Sequence, residues 1–138
     1  MNIIMFDDSP EDSLLMENAI AESESSKNFY VIHEFKSAKE FIEKTSIHEP
    51  SVFFIDLSFP DGDGFELLKS INKKHKNNPY LIPIILSTSK NNKDVYKSRE
   101  CGAFSYIVKP DDFKDWVKLV NKSYNYWQDL NRFPSECL

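Results

Sequence analysis

Carboxylates follow two of the apolar runs in this chain at the point where each run ends. Asp7 and Asp8 come directly after the run at 3–6, and Asp56 comes directly after the run at 52–55. If these runs are neighbouring parallel strands, their carboxyl ends meet at one edge of the sheet and the three acids share a cleft. Like charges in one cleft raise each other's pKa values, and a divalent cation relieves their repulsion. A donor set of oxygens without Cys or His favours Mg²⁺, with Mn²⁺ as a substitute.

Two further runs end in a hydroxyl and in a cation. Ser87-Thr88-Ser89 follows the run at 81–86, and Lys109 follows the run at 104–108. A metal, an ammonium and a hydroxyl around a carboxylate form a site for a phosphoryl group, because the cations neutralise its oxygens and the hydroxyl donates a hydrogen bond. Asp56 is then the candidate nucleophile, since carboxylates form aspartyl-phosphates. Each motif alone is common in turns and caps, so the prediction depends on their joint occurrence.

The elements that position these residues follow from the alternation of apolar runs with helical patterns. The runs lie at 3–6, 29–35, 52–55, 81–86 and 104–108. The last three show little polar alternation, which is typical of parallel strands buried on both faces, whereas the run at 29–35 includes His33 and Glu34 and suits an edge strand. Strict alternation predicts an α/β fold, a single doubly wound five-stranded parallel sheet with five helices on both faces.

Helix boundaries are marked by capping residues. Ser9, followed by Pro10, is a good N-cap for the first helix, and Ser37 with Glu40 has the spacing of a capping box. Gly102 lies where a helix over 92–101 would stop. The fifth helix is expected to begin at 111 or 112 and to run to about 131.

Composition excludes several classes of protein. The chain has 138 residues, of which 41% are hydrophobic and 28% charged, so a single globular domain is expected. A net charge of −5 argues against direct binding of nucleic acid. No apolar run is long enough for a membrane span, the N-terminus does not resemble a signal peptide, and two cysteines are too few for a disulfide framework. We therefore expect a cytoplasmic protein without a membrane partner.

Four segments together resemble the receiver domain of two-component response regulators. They are IIMFDDS at 3–9, DLSFPDGDG at 56–64, LSTS at 86–89 and GAFSYIVKP at 102–110. The resemblance covers about residues 2–130 and implies a flavodoxin-like sheet with strand order 2-1-3-4-5. It also implies a receiver domain at 1–131 with a short C-terminal tail at 132–138.

The resemblance assigns roles at the acidic cleft. Asp56 would accept a phosphoryl group from a phosphohistidine on a sensor histidine kinase or a phosphotransfer protein. Asp8 would bind Mg²⁺ directly and Asp7 mostly through water, and the backbone carbonyl of Ser58 would complete the protein ligands. The protein would catalyse only its own phosphorylation and dephosphorylation and is otherwise a signalling protein, not an enzyme.

The resemblance also assigns the residues that report phosphorylation. Lys109 would pair with the phosphoryl group, Thr88 would supply the hydroxyl that senses it, and Tyr106 would swing inward with Thr88. In the family the peptide bond equivalent to the one between Lys109 and Pro110 is often cis. Ser58 and Lys90 occupy positions that influence hydrolysis of the aspartyl-phosphate in the family, and we interpret Asp61 and Asp63 as exposed loop acids.

Three other functions fit parts of the pattern. A haloacid-dehalogenase-like phosphatase also has an Asp nucleophile after its first strand, but it needs a second Asp where this chain has Ser9. In a flavodoxin-like FMN carrier, Asp7 and Asp8 would repel the FMN phosphate. A phosphorylation-independent receiver-like binding module remains open, although such proteins usually lose an acid or the lysine, and this chain has all of them.

The fifth helix predicts a contact surface. Its apolar residues form two stripes that together span about 180°, wider than the ~100° needed to pack on the sheet. One stripe comprises Phe113, Val117, Val120, Tyr124 and Trp127, and the other comprises Trp116, Leu119, Tyr126 and Leu130. We expect the second stripe to be exposed and to form a homodimer or partner contact on the face made by the fourth helix, fifth strand and fifth helix.

The end of the chain also has a resemblance. Only about seven residues are expected after the fifth helix, and this short ending is similar to that of stand-alone regulators. Trp127 and the later Phe133-Pro134 are similar to the end of single-domain regulators paired with bacteriophytochrome-type kinases.

Overall fold

The computed structural model describes residues 1–23 and 28–135, and within them one parallel sheet forms the centre of the molecule. The strands are β1 Asn2–Phe6, β2 Asn28–Ile32, β3 Ser51–Ile55, β4 Leu81–Ser87 and β5 Ser105–Val108. The helices are α1 Pro10–Glu22, α2 Phe35–Lys44, α3 Gly64–Lys74, α4 Asn92–Glu100 and α5 Phe113–Tyr124. The strand order is β2-β1-β3-β4-β5, all parallel. The predicted doubly wound α/β fold is confirmed.

The register of the central strands sets where the acids emerge. Phe6 at the end of β1 aligns with Ile55 at the end of β3. The ladder continues one step further, because the Asp56 N–H donates to the Phe6 carbonyl at 2.9 Å and the Asp7 N–H donates to the Ile32 carbonyl at 3.1 Å. The backbone at Asp7 and Asp56 is therefore fixed side by side at the carboxyl edge of the sheet.

A hydrophobic core lies on each face of the sheet. Every residue of β3 and β4 is buried, as expected for central parallel strands. Phe6 and Phe53 belong to the core cluster that includes residues of α2 and α3, and Met5 and Phe54 belong to the cluster that includes residues of α1 and α5. Alternate residues of each strand thus point to opposite cores.

The outer strands differ in part from the prediction. β2 is an edge strand, as predicted, and pairs only with β1 in the described part of the chain. β5 is the other edge, and its residues are half-buried or exposed, so the prediction that the run at 104–108 is buried on both faces is wrong. The reason is topological, since β5 has β4 on one side and no further strand on the other within the described residues.

The start of α2 also differs from the prediction. The helix begins at Phe35 after Glu34, which makes no side-chain cap hydrogen bond, and Ser37 lies inside the helix. The predicted capping box is therefore wrong. Phe35, Ala38 and Ile42 form the buried stripe of α2. Their burial outweighs the ~1 kcal/mol that a cap hydrogen bond contributes.

The predicted exposed stripe of α5 is wrong for its first half. Trp116 is 1% exposed and Leu119 8%, and both pack in the core between α5 and the sheet. Tyr126 and Leu130 are exposed, at 51% and 76%. These two lie in a π-helical segment, Asn125–Leu130, that replaces the last turns expected of α5. A π-turn holds more residues than an α-turn, so it rotates later side chains away from the stripe begun by Trp116.

The residues after the π-helical segment pack back onto the molecule. The Phe133 ring stacks on Tyr80 with centroids 6.3 Å apart, and the Tyr80 hydroxyl donates to the Pro134 carbonyl at 3.0 Å. Residues 136–138 of the predicted tail at 132–138 lie outside the described residues, and the domain boundary at 131 stays a prediction. Across residues 1–23 and 28–135, no helix has the length and apolar character to cross a membrane.

Candidate functional site

Three carboxylates converge at the carboxyl edge of the sheet. Asp7, Asp8 and Asp56 each place an oxygen within 4.8 Å of the other two. Asp7 and Asp56 are buried, at 1% and 8% exposure, whereas Asp8 is exposed. The structure therefore brings together the three acids that the ends of β1 and β3 suggested, in a cleft open to solvent on the Asp8 side.

Local hydrogen bonds hold the acid-bearing loop after β1. The Ser9 N–H donates to Asp7 Oδ1 at 2.9 Å, and Ser9 Oγ accepts from the Asp12 N–H at 3.2 Å. Ser9 is thus the N-cap of α1, as predicted, and Pro10 occupies the first turn. Ser9 therefore contacts both the Asp7 carboxylate and the first turn of α1, so the position of that carboxylate depends on where the helix begins.

A close backbone approach holds Asp56. Asp56 Oδ1 accepts from the Leu57 N–H at 2.9 Å, and the Gly64 N–H donates to the Leu57 carbonyl at 3.0 Å. A Cβ on Gly64 would lie 2.4 Å from the Asp56 carbonyl oxygen, so only glycine allows α3 to start this close. The Asp63 side chain caps α3 by accepting from the Glu66 N–H at 2.9 Å. The interpretation of Asp63 as a loop acid is therefore wrong, whereas Asp61 is exposed as predicted.

Lys109 enters the acidic cleft from the end of β5. Its backbone N–H donates to the Ser87 carbonyl at 2.8 Å, which extends the pairing of β4 and β5 by one residue. The side chain is only 6% exposed. Lys109 Nζ lies 2.6 Å from Asp12 Oδ2, 2.8 Å from Asp7 Oδ2 and 3.5 Å from Asp56 Oδ2. The nearest carboxylate to the ammonium is therefore not the candidate phosphoacceptor.

The contact of Lys109 with Asp7 is ionic and lacks the direction of a hydrogen bond. Asp7 Oδ2 is consequently a buried oxygen without a hydrogen-bond partner among the described residues. Lys109 Nζ, 2.8 Å away, is the cation that offsets the charge of this oxygen. The close approach of three carboxylates, with oxygens as the only donors, fits a hard divalent cation held by Asp7, Asp8 and Asp56.

Burial and mutual repulsion perturb the ionisation of the cluster. Burial, followed by the negative charge of Asp7, raises the pKa of Asp56 to about 6, although Lys109 and the Leu57 N–H oppose the shift. Burial also raises the pKa of Asp7, against the opposing effects of Lys109 and the Ser9 N–H. Burial alone would lower the pKa of Lys109, but the Asp12 and Asp7 carboxylates outweigh it and raise that pKa.

Sequence reasoning missed Asp12. The residue lies in the first turn of α1, where a carboxylate is common because it faces the positive end of the helix dipole. The available signal was the cap at Ser9, which starts α1 at the carboxyl edge of the sheet. A side chain in its first turn therefore lies close to the end of β1.

The residues expected to report phosphorylation lie in the loop after β4 and on β5. Thr88 is exposed, whereas Ser87 is buried and its Oγ accepts from the Ser89 N–H at 3.3 Å. The Tyr106 hydroxyl donates to the Ser89 carbonyl at 2.8 Å, one residue beyond Thr88. Lys90 is also exposed.

The peptide bond between Lys109 and Pro110 is trans, since the described residues contain no cis peptide bond. The cis bond that the resemblance implies is therefore absent. Ser58 is exposed and begins a short antiparallel ribbon, Ser58–Phe59 with Gly62–Asp63, directly after the Asp56 loop.

Comparison with known families decides the class of the protein. The sequence model of the response regulator receiver domain matches residues 3–121. The chain belongs to this family. Receiver domains are signalling proteins, and the phosphatase and FMN-carrier alternatives are not favoured.

A relative of this receiver domain that matches over nearly its whole length is also a response regulator. Response regulator Rcp1 of Synechocystis sp. is 29% identical over 140 residues, which span 96% of this chain and 92% of Rcp1. The crystal structure of the Mn²⁺-bound form of Rcp1 matches with a TM-score of 0.80 and 25% identity, over 97% of this chain and 99% of that one.

Two further structures extend this comparison. The phosphorylated cyanobacterial phytochrome response regulator RcpA matches with a TM-score of 0.83 over 97% of this chain and 98% of its own; at 22% identity this is a likeness of fold. The bacteriophytochrome response regulator RtBRR matches with a TM-score of 0.68 and 26% identity, over 96% of this chain and 83% of its own. Other curated relatives are longer, and the chain spans from 60% down to 20% of their length.

Proposed function

We propose that this receiver domain accepts a phosphoryl group on Asp56 from a phosphohistidine of a sensor histidine kinase or a phosphotransfer protein. The observation that supports the proposal is the position of Asp56, within 4.8 Å of Asp7 and Asp8 oxygens and 3.5 Å from Lys109 Nζ. A carboxylate between a cation site and an ammonium can attack phosphorus while both positive charges neutralise the phosphoryl oxygens.

The phosphoryl transfer balances with the groups present. An oxygen of Asp56 forms a bond to phosphorus, the bond from phosphorus to the histidine nitrogen breaks, and the imidazole leaves with the electron pair. Asp56 Oδ1 is already engaged by the Leu57 N–H, and Oδ2 faces Lys109, so Oδ2 is the better-placed nucleophile. Lys109 then lies next to the oxygens that the transfer brings to Asp56.

A divalent cation, Mg²⁺ with Mn²⁺ as a substitute, completes the proposed site. Asp8 would hold the ion directly and Asp7 mostly through water, with Asp56 and the Ser58 carbonyl as the other protein ligands. The cation would supply neutralising charge for the phosphoryl oxygens and offset the mutual repulsion of the carboxylates. The oxygens of Asp7, Asp8 and Asp56, all within 4.8 Å of one another, and the raised pKa of Asp56 support this part of the proposal.

Signal output is proposed to pass through Thr88 and Tyr106. The Thr88 hydroxyl would turn toward the phosphoryl group and take the loop after β4 with it. The Tyr106 hydroxyl already holds the Ser89 carbonyl of that loop, so a displaced loop must move or release the Tyr106 ring. Lys109 would join the phosphoryl group to the end of β5, the strand that contains Tyr106.

A partner or a second copy is proposed to bind the face made by α4, β5 and α5. Tyr96 on α4 is 74% exposed and Val108 on β5 is 37% exposed. Phe104, just before β5, is 55% exposed and packs on Trp127 with centroids 6.4 Å apart. Light scattering with and without beryllofluoride tests self-association, and Tyr96→Glu should abolish any dimer that uses this face.

The pathway is proposed from the relatives. The similarity to Rcp1 over 92% of its length supports a stand-alone regulator that does not bind DNA itself, and the similarity to the bacteriophytochrome response regulator RtBRR supports a phytochrome-type kinase in the cytoplasm as the source of its phosphoryl group. Phosphotransfer from a purified kinase of this type, compared with an unrelated kinase, tests the pairing: a clear rate preference for the phytochrome-type kinase is expected, and equal rates would contradict it.

Acetyl phosphate and Mg²⁺ test the proposed acceptor directly. Intact mass spectrometry should show one added phosphoryl group on wild type and none on Asp56→Asn. Asp61→Asn, which removes an exposed acid from the same loop, is the matched control and should be modified like wild type. Equal modification of Asp56→Asn and wild type would refute Asp56 as the acceptor. No modification of wild type would favour the phosphorylation-independent binding module.

A further inference from the structure

Lys109 is held by a carboxylate that has no place in the proposed phosphoryl chemistry. Asp12 Oδ2 lies 2.6 Å from Lys109 Nζ, whereas Asp56 Oδ2 lies at 3.5 Å, the outer limit of a hydrogen bond. Lys109 is 6% exposed and Asp12 is 26% exposed, so the pair is largely shielded from water. A charge-assisted hydrogen bond this short in such surroundings contributes more than a surface ion pair does.

The position of the Asp12 carboxylate is fixed by α1. The Asp12 N–H donates to the capping Ser9 Oγ, and the following residue, Ser13, is buried and donates its hydroxyl to the Pro10 carbonyl at 3.0 Å. Met16, one turn further along, is fully buried in the core. The helix therefore holds Asp12 on a rigid support, and Lys109, with its flexible stem, is the partner that adapts.

We propose that Asp12 is a positioning residue that holds the Lys109 ammonium in competition with the phosphoryl group on Asp56. This inference rests on the proposed function of Asp56. An ammonium that already faces the carboxylates of Asp12 and Asp7 presents less positive potential to a third anion. Phosphorylation then requires Lys109 to weaken its contact with Asp12, so Asp12 lowers the affinity of the site for a phosphoryl group.

Beryllofluoride, a phosphoryl analogue that binds the acceptor carboxylate, measures this competition at equilibrium. We expect Asp12→Asn to bind beryllofluoride about three- to tenfold more tightly than wild type in saturating Mg²⁺, because a charge-assisted hydrogen bond is removed and part of its effect is lost to solvent screening. The dissociation constant is read from NMR chemical shifts during a titration.

A control separates the contact with Lys109 from the loss of one negative charge. Glu11→Gln removes an exposed acid from the same first turn of α1, and it changes the helix-end electrostatics in the same way. It should change the dissociation constant by less than about twofold, because an exposed charge is screened by solvent. If Asp12→Asn and Glu11→Gln bind beryllofluoride equally well, or if Asp12→Asn binds it more weakly than wild type, the inference is wrong.

A double-mutant cycle with Lys109→Met tests whether Asp12 acts through the lysine. In the Lys109→Met background, the dissociation constants of Asp12→Asn and Glu11→Gln for beryllofluoride should differ by less than about twofold, since the contact with Nζ no longer exists. An undiminished effect of Asp12→Asn there would overturn the inference. If wild type and Glu11→Gln both fail to bind beryllofluoride, the proposed function of Asp56 fails and the inference fails with it. If both bind beryllofluoride and Asp12→Asn does not bind it more tightly than they do, the inference is refuted and the proposed function of Asp56 is not.

Discussion

Replacing Asp56 with Asn should stabilise the metal-free protein, and by an amount that grows with pH. Burial and the charge of Asp7 raise the pKa of Asp56 from its ordinary 3.8 to about 6 in the folded protein. In the unfolded chain Asp56 ionises near its ordinary pKa. Between these two values the folded protein binds more protons than the unfolded chain, so the contribution of Asp56 makes the free energy of unfolding fall as the pH rises.

The magnitude follows from the shift. About two pKa units at 1.36 kcal/mol per unit correspond to ~3 kcal/mol for the complete titration of this group. Part of this free energy is already lost at about pH 4.5, because Asp56 of the unfolded chain is mostly ionised there. In the variant, the charges of Asp7 and Lys109 also interact with a neutral Asn in place of a carboxylate. We therefore expect the stability advantage of Asp56→Asn over wild type to grow by about 1–2 kcal/mol between about pH 4.5 and about pH 7.5.

Urea unfolding in EDTA at these two pH values measures the effect. Asp61→Asn is the control and should differ from wild type by less than ~0.5 kcal/mol at both pH values, because Asp61 is exposed. Millimolar Mg²⁺ should reduce or reverse the advantage of Asp56→Asn, since the metal binds the wild-type carboxylate. A difference that is constant with pH, or a variant that is less stable than wild type at the higher pH, would refute the account of a destabilising Asp56 charge.

Other predictions concern the metal, the core and one turn. Mg²⁺ at ten times its dissociation constant should raise wild-type stability by about 1.4 kcal/mol, and Asp8→Asn should remove this gain in thermal unfolding; an equal gain in the variant would contradict the metal site. Leu119→Ala should lower the free energy of unfolding in urea by about 2–5 kcal/mol because Leu119 is buried, and Leu130→Ala should lower it by less than ~0.5 kcal/mol because Leu130 is exposed. Similar costs for the two variants would contradict this difference in burial. Gly102→Ala should destabilise by at least ~1 kcal/mol, because Gly102 has a φ of 105° and the new Cβ would lie 2.7 Å from the Asn72 side chain; unchanged stability would refute this.

The strand ends and the acids after them were predictable from the sequence. Runs such as 52–55 and 81–86 are long enough and apolar enough to be central strands, and parallel connection brings all their carboxyl ends to one edge. Such a run is followed directly by the pair Asp7-Asp8, by Asp56 and by Lys109. No knowledge of packing was therefore needed to place these side chains together. The cap at Ser9 was equally predictable, since it depends only on neighbouring residues.

Helix faces and helix starts were not predictable in the same way. The apolar residues of α5 offered two stripes, and the core over the sheet buries members of both, Trp116 and Leu119 from one stripe and Val120 from the other. The π-helical segment after Tyr124 then exposed Tyr126 and Leu130. The capping-box spacing at Ser37 predicted the wrong start for α2 for a similar reason. The burial of Phe35 sets where that helix begins.

The sequence by itself therefore determined the sheet, its acidic edge and the lysine that reaches that edge, because these follow from short-range patterns and from the direction of the strands. Only the tertiary structure decided which carboxylate holds the lysine. Asp12 and Lys109 are 97 positions apart, and their 2.6 Å contact depends on how α1 and β5 pack on the same sheet. A pattern in the sequence specifies which side chains reach the edge, whereas the distances among them come from the packing of elements that are remote in the chain.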